Sequence, residues 1–361
     1  MTQQNLYSLT RAELTELLAS WGYSEFHAKQ IWHGLYRNLL TDTADFTHLR
    51  PDLQQRLTME VTLGHIAVQN AQQSSDGYTR KFLLRYPDQK SVETVIMRFH
   101  ARRARPDETN RYTACISSQV GCAMACVFCA TGQMGFTRHL SAGDIVSQVL
   151  FVQRTLKEQN SQLRNIVLMG MGEPLHNYDN TMKAIDILTD HQGLALAPRH
   201  ITLSTVGIPR RIRQLADEQR PINLAVSLHG ATDAERQALV PPAKRWPLQE
   251  LLDACRYYSD ARKRRIFFEW TLIAYENDTA EQAHALGKLL AGMSAHINVI
   301  PLNPTTGYNG TPSDPQRVRA FQDILHSYGI PSTVRQRRGI DIAAGCGQLA
   351  SADQNLSHMG T

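Results

Sequence analysis

The sequence has no run of eighteen apolar residues, so no helix is expected to cross a membrane. Its first residues, Met1-Thr2-Gln3-Gln4-Asn5, lack a charged stretch followed by an apolar one. No secretory leader is therefore expected, and a cytoplasmic location follows as an expectation. Only 6 of 361 residues are cysteine and most of them crowd near one loop, unlike the spread framework of a small disulfide-stapled secreted domain. Neither sign of charge dominates: 38 basic and 33 acidic residues leave a net charge of +5, which permits an RNA partner without demanding one. What is present is a 42% hydrophobic fraction, enough to build one large domain with appendages.

The chemistry is concentrated in Val120-Gly121-Cys122-Ala123-Met124-Ala125-Cys126-Val127-Phe128-Cys129, a C-x3-C-x2-C triplet. A chain spans at most about 3.3–3.6 Å per residue, so these three sulfurs can converge on one small object. A disulfide would use two of them and strand the third. Converging thiolates suit zinc or an iron–sulfur cluster. A structural zinc needs a fourth ligand, and Cys115 is a candidate; with Cys122, Cys126 and Cys129 it would make the chain a zinc-stabilised RNA-binding protein, the alternative to an enzyme. A cluster on three thiolates leaves one iron open for a substrate or cofactor. The spacing, with no CxxC pair downstream, favours the cluster.

Along the chain, residues 1–60 read as a small helical module. Thr10 and Glu13 form a capping-box pattern, a second helix carries Phe26, Ile31, Trp32 and Leu35 on one face, and Pro51 starts a third. Residues 61–107 read as a β-rich connecting segment with runs at Leu63–Val68, Tyr78–Arg85 and Val92–Phe99. Arg98–Pro106 is a basic loop suited to phosphate contacts. From residue 108 to 350, β-rich runs at Tyr112–Gln119, Asn165–Met169, His200–Thr205, Ile222–Leu228, Ile266–Ile273, His296–Leu302 and Pro331–Arg337 alternate with helical stretches such as Ser141–Gln153 and Leu248–Tyr258. This alternation predicts an α/β fold, a partial barrel of about six units, with its site at the strand C-terminal face. Glu173, Ser204, His229 and Asn303 fall at that face, as does the cysteine loop. Residues 351–361 are read as a tail. Cys255 shares a helix face with Leu251 and Leu252 and is read as core, whereas Cys346, in Gly345-Cys346-Gly347, sits in a segment that can be mobile. Arg262-Lys263-Arg264-Arg265 and Arg335, Arg337 and Arg338 are two basic groups suited to RNA.

The triplet, followed by Ala130-Thr131-Gly132, resembles the cluster loop of radical S-adenosylmethionine (SAM) enzymes. Within them the chain resembles the adenine RNA methyltransferases of the RlmN/Cfr family. The resemblance runs from about Tyr7 to Leu349. It rests on Cys-Ile-Ser-Ser-Gln-Val-Gly-Cys (115–122), Met-Gly-Met-Gly-Glu-Pro (169–174), Leu-Ser-Thr (203–205), Ser-Leu-His (227–229) and Cys-Gly-Gln-Leu (346–349).

The resemblance implies a partial (β/α)6-type radical SAM barrel, with Cys122, Cys126 and Cys129 holding a [4Fe–4S] cluster. Gly172, Glu173, Ser204, Ser227, Leu228, His229 and Asn303 would contact SAM. It further implies two SAM molecules per turnover. One methylates Cys346; the second is cleaved to a radical that takes a hydrogen from the S-methyl group. The methylene radical adds to adenine, Cys115 attacks Cys346 to form a disulfide and release product, and Glu93 handles a proton. Adenine carbons are not nucleophiles, hence the radical route. The implied product is adenosine methylated at C2 in 23S rRNA, with tRNA as a further substrate and C8 as the alternative. The implied reductant is a flavodoxin or ferredoxin, and the implied state a monomer. Val120 and Pro174 match the C2 branch, while Gly339-Ile340-Asp341-Ile342 and Gly345 depart from that branch's usual Gly-Asp-Asp-Ile and Ala.

Overall fold

The structure, a computed structural model, describes residues 3–100 and 110–350. Residues 101–106 of the basic loop and the tail at 351–361 lie outside the described residues. The N-terminal module comprises β1 (Gln4–Asn5), α1 (Arg11–Ser20), α2 (Glu25–His33), α3 (Pro51–Glu60) and β2 (Val61–Thr62), with β1 and β2 paired in parallel. The Thr10–Glu13 capping box forms, and Pro51 occupies the first turn of α3, where its missing N–H costs nothing. Ile31, Trp32 and Leu35 are buried as expected. Phe26 is not with them: it is 63% exposed, because it precedes Ile31 by five residues, which turns it away from the buried stripe.

After the module come β3 (Ala67–Gln73), β4 (Thr79–Arg85), β5 (Ser91–Phe99) and β6 (Arg111–Cys115). The expected run at Leu63–Val68 begins later and extends further than the apolar pattern suggested. It forms the sheet edge, exposed along its whole length, so burial leaves no mark on its sequence. The expected run Tyr112–Gln119 is broken. The chain turns after Cys115, and Gln119–Gly121 forms a separate strand, β7, paired with β8 (Phe136–His139) across the short helix α4 (Ala130–Gln133).

The remaining elements are α5 (Ala142–Lys157), β9 (Leu163–Leu168), α6 (Tyr178–Thr189), β10 (Ile201–Thr205), α7 (Pro209–Asp217), β11 (Asn223–Ser227), α8 (Asp233–Leu239), α9 (Leu248–Arg262), β12 (Ile266–Leu272), α10 (Ala280–Leu290), β13 (Ala295–Pro301), α11 (Pro315–Ser327) and β14 (Ser332–Val334). The main sheet has ten strands in the order β14-β13-β12-β11-β10-β9-β6-β5-β4-β3. From β6 to β14 all pairings are parallel, and helices cross over between successive strands. Strands buried on both faces read as continuous apolar runs, as Leu224-Ala225-Val226 in β11 does. The strands β5, β4 and β3 extend the same sheet antiparallel. The barrel is open, with β14 and β3 as its edges.

The helical module is fastened to this barrel. Arg154 on α5 donates to Tyr7 Oη (2.8 Å) and to the Leu39 carbonyl (3.1 Å), and Lys183 on α6 pairs with Glu13 (2.7 Å). Gly143 is needed at the contact, since a Cβ there would stand 2.4 Å from Ser8 Oγ. Arg262-Lys263-Arg264-Arg265 lies between the end of α9 and the start of β12, at the strand N-terminal side and so away from the candidate site. Arg335, Arg337 and Arg338 follow β14 and lie on the site's side.

Candidate active site

The loops after the parallel strands converge at one rim. The cysteine loop follows β7 and is held from three directions. Cys122 N–H donates to the Gly135 carbonyl (2.8 Å), Val127 N–H to the Leu239 carbonyl of α8 (3.1 Å), and Ala130 N–H to the Gly347 carbonyl (2.7 Å). Beneath it lies a small apolar layer of Met124, Phe128, Val206, Leu239, Val240, Ile273 and Leu302, against which Cys122, Cys126 and Cys129 pack. Charge on either Cys122 or Cys129 opposes charge on Cys126, so the three thiols are mutual neighbours. Burial keeps all three protonated in the free chain: it pushes Cys122 up to about 12, Cys126 well above its ordinary value, and Cys129 upward.

Glu173 sits beside them. It lies in the loop after β9, where the chain passes close to the turn after β6. A Cβ at Gly170 would stand 2.7 Å from the Ile116 carbonyl oxygen, and one at Gly172 2.5 Å from Gln119. Gly172 also has φ +102, a region that favours glycine. Both Glu173 oxygens accept backbone N–H groups, from Leu175 (2.9 Å) and Val206 (2.8 Å). Burial nonetheless pushes its pKa up to about 7, and among the described residues it forms no ion pair. Such a carboxylate is suited to a cationic ligand.

Ser204 lies in β10, Ser227 ends β11, and Leu228 and His229 follow. The left-handed backbone of His229 (φ 61) turns its ring inward, edge-on to Phe128 with centroids 4.9 Å apart. Its Nδ1 accepts the Thr271 N–H (3.0 Å), which leaves the proton on Nε2, and burial pushes its pKa down to about 3. The ring is therefore a fixed neutral donor.

The Cys346 segment closes the rim. Asn303 Nδ2 donates to the Cys346 carbonyl (3.0 Å), Thr131 Oγ1 to that of Leu349 (2.6 Å), and Gln348 Nε2 to that of Pro304 (2.9 Å). The expected mobile segment is thus pinned along its length. Gly345 serves close approach instead, since a Cβ there would stand 2.7 Å from Asn303. Cys346 is exposed as a residue, while burial of its thiol raises its pKa. Glu269 and Arg335 are its charged neighbours, and the Cys129 thiol lies near it. Cys115, at the end of β6, has Cys346 as the charged group that most disfavours its own ionisation after burial itself.

Glu93, on β5, is buried and paired with Lys81 (2.8 Å) on β4. Lys81 Nζ donates to the Ala343 carbonyl (3.2 Å) and Ala350 N–H to Glu93 (2.8 Å). This pair grips the Cys346 segment on both sides. Burial raises the Glu93 pKa, opposed by Lys81.

Residues 116–286 match the family model of the radical SAM superfamily, and residues 4–63 match the ribosomal RNA large subunit methyltransferase N-terminal domain. A dual-specificity RNA methyltransferase RlmN 1 from Myxococcus xanthus is 60% identical over 356 residues, covering 99% of this chain and 97% of that protein. The chain belongs to the RlmN family of radical SAM enzymes. A probable dual-specificity RNA methyltransferase RlmN 2 from Opitutus terrae is 50% identical, covering 97% of this chain and 88% of that protein. The crystal structure of a radical SAM methyltransferase from Sphaerobacter thermophilus superposes with a TM-score of 0.91 at 44% identity, covering 96% of this chain and 99% of that one. As an RlmN-family enzyme the chain is a SAM-dependent radical methyltransferase whose cofactors are a [4Fe–4S] cluster and SAM.

The residues present fit that cluster. The rim offers three neighbouring thiols and, behind them, buried guanidinium nitrogens of Arg236 that lack a partner among the described residues. The zinc alternative lacks its fourth ligand: Cys115 has the Cys346 thiol, not one of the triplet, as its neighbour. A tetrahedral zinc needs four ligands on one point, whereas a four-iron cluster spreads its thiolates over separate irons.

Sequence reasoning passed over Lys81, Glu269 and Arg236. Glu269 is buried on β12, accepts from Asn298 Nδ2 (2.8 Å) and lies 3.6 Å from Arg335. Arg236 is three residues before Leu239 on the inward face of α8, a charged residue at a helical core position, which was a readable signal.

Proposed function

We propose that this chain methylates adenosine at C2 in 23S ribosomal RNA and in transfer RNA, with Cys346 as the methyl carrier. The observation that carries this reading is the proximity of the Cys115 and Cys346 thiols, although they stand near opposite ends of the barrel sequence. The printed name of the Myxococcus relative, a dual-specificity RNA methyltransferase, and the ribosomal RNA methyltransferase domain at 4–63 support RNA as substrate. Val120 and Pro174 support C2 over C8.

In this reading Cys122, Cys126 and Cys129 hold the cluster, and Gly172, Glu173, Ser204, Ser227, Leu228, His229 and Asn303 bind SAM. When bound, cluster and SAM supply the methyl group and a 5′-deoxyadenosyl radical. Glu173 offers its carboxylate to the ammonium of SAM, and neutral His229 offers a single fixed N–H. Asn303 does double duty, since its amide already holds the Cys346 carbonyl.

The Cys346 sulfur takes the methyl group; one of its hydrogen atoms would go to the 5′-deoxyadenosyl radical, the remaining carbon would bond to the adenine carbon, and the adduct's unpaired electron would return to the oxidised cluster. Cys115 then attacks that sulfur. An S–S bond forms as the bond between sulfur and the base-attached carbon breaks, the electron pair leaving with carbon, which is protonated to methyl. Glu93 handles the proton at the attacked carbon. Arg335, Arg337 and Arg338 supply phosphate contacts at the rim. A flavodoxin or ferredoxin is the proposed reductant, and the enzyme is proposed to act as a cytoplasmic monomer. Among the described residues no helix is long and apolar enough to cross a membrane.

The deciding experiment is nucleoside mass spectrometry of ribosomal and transfer RNA from cells with and without the gene. Loss of 2-methyladenosine from both RNAs is the expected result. Loss of 8-methyladenosine instead would move the reaction to C8, and no change in either would overturn the substrate assignment.

A further inference from the structure

Arg236 is the one guanidinium sealed completely from solvent among the described residues, at 0% exposure. It stands on α8 with Leu239 as its buried companion. The end of this helix touches the cysteine loop directly, through the Val127 N–H to the Leu239 carbonyl. One Arg236 nitrogen, Nη2, donates to the carbonyl of Val206, the same residue whose N–H is held by Glu173. Its Nε and Nη1 have no partner among the described residues. A Cβ at Gly230 would stand 2.6 Å from the Arg236 backbone nitrogen, so the turn after His229 is packed tightly against this helix.

Among the described residues no carboxylate within hydrogen-bond or ion-pair reach neutralises this charge. Its neighbours include the protonated thiols of Cys126 and Cys255 and the carboxylate of Asp233, the last already accepting the Leu248 N–H (2.7 Å). Cys255 is a core thiol held protonated by burial. On the other side of the loop, Glu173 is a like-charged neighbour of Cys126. A buried cation with open donors costs several kcal/mol unless an anion compensates it. The apolar layer of Met124, Phe128, Val206, Leu239 and Val240 lowers the local dielectric, which strengthens whatever charge interaction Arg236 does make.

We propose that Arg236 is the buried counter-cation of the iron–sulfur cluster, placed behind Cys126 to raise the cluster's reduction potential. This rests on the assignment of Cys122, Cys126 and Cys129 as ligands. Three thiolates make the loaded loop anionic, and a one-electron reduction adds a further negative charge. A fixed cation in a low-dielectric layer favours the reduced form more than the oxidised one. Net charge and hydrogen bonding around the sulfurs are the protein's usual means of setting such potentials. Arg236 is on this account a positioning and tuning residue rather than a catalytic one.

The test compares Arg236→Gln, neutral but still able to donate to the Val206 carbonyl, with Arg236→Lys, which keeps the charge. Full-length protein is reconstituted with iron and sulfide, and the midpoint potential is read by electron paramagnetic resonance during dithionite titration with mediators. Thermal melting is recorded before and after reconstitution. The expected result is a more negative potential in Arg236→Gln, restored toward the parent value in Arg236→Lys. The iron-free Arg236→Gln chain should melt no lower than the iron-free parent, because an uncompensated charge has been removed. Reconstitution should then stabilise it less than it stabilises the parent. A folded Arg236→Gln with parental iron content and an unmoved potential would overturn the proposal. So would an iron-free Arg236→Gln that fails to fold, since that makes Arg236 structural. A parent chain that binds no iron would instead overturn the ligand assignment beneath it.

Discussion

Lys81 Nζ stands 2.8 Å from Glu93 Oε1, and through this one pair the antiparallel edge of the sheet holds the segment that carries Cys346. Lys81 bonds the Ala343 carbonyl before the cysteine, and Glu93 accepts the Ala350 N–H after it. The glutamate expected to handle a proton is therefore also half of a clamp, and burial raises its pKa.

Breaking the clamp should be costly. Lys81→Met leaves Glu93 buried without its cation, with an expected loss of about 3–5 kcal/mol at neutral pH by urea denaturation. Burial already holds the Glu93 pKa above its ordinary value, and removing Lys81 removes the opposing influence. The folded state then binds its proton more tightly than the unfolded chain does. The variant's extra loss should therefore shrink as pH falls through the raised folded value toward the ordinary glutamate range. A pH-independent loss would show that the carboxylate is not its source. Proteolysis should also cut earlier within residues 343–350.

Cys122→Ala, Cys126→Ala and Cys129→Ala should each abolish iron binding and all 5′-deoxyadenosine formation. Iron and sulfide assays on anaerobically purified protein, together with chromatography of SAM cleavage products, check this. Ordinary cleavage in any one of the three would remove that residue from the ligand set.

Cys115→Ala should keep its cluster, accept a methyl group on Cys346 and then stall with RNA joined through a methylene bridge to Cys346. No other thiol is placed to displace that sulfur: Cys255 is sealed in the core, and the remaining three pack in the cysteine loop. On a denaturing gel a protein–RNA band should appear, and it should be absent from Cys115→Ala/Cys346→Ala. Free methylated RNA from folded Cys115→Ala, without such a band, would exclude the resolving role.

Glu173 makes a second pH prediction, for the ligand-free chain. Its folded pKa of about 7 lies above the usual 4.5, so the folded state holds a proton that the unfolded state has released. That contribution is full below the usual value and is lost as pH rises to about 7, on the order of 3 kcal/mol in all. Melting temperatures of the ligand-free protein across this window should fall, and those of Glu173→Gln should fall less. SAM should reverse the trend in the parent, because an ammonium favours the ionised carboxylate, and Glu173→Gln should weaken SAM binding at least tenfold by calorimetry.

Local patterns were legible in the linear chain wherever one short stretch meets its own neighbours. The Thr10–Glu13 box, the Pro51 helix start, the alternation of apolar runs with helices and the C-x3-C-x2-C loop all depend on contacts a few residues long. The same holds for the burial of Cys255, which follows from helix period. Tertiary structure alone decided the rest. The exposure of β3 depends on its being the sheet edge, and the break after Cys115 on the loop packing across it. The meeting of Cys115 with Cys346, the Lys81–Glu93 grip on residues 343–350 and the orphaned guanidinium of Arg236 near Cys126 all join elements far apart in sequence. Periodicity reports which face of an element is buried, but not which other element covers it. Charge pairing and thiol proximity arise between elements, once the sheet has brought them to one rim.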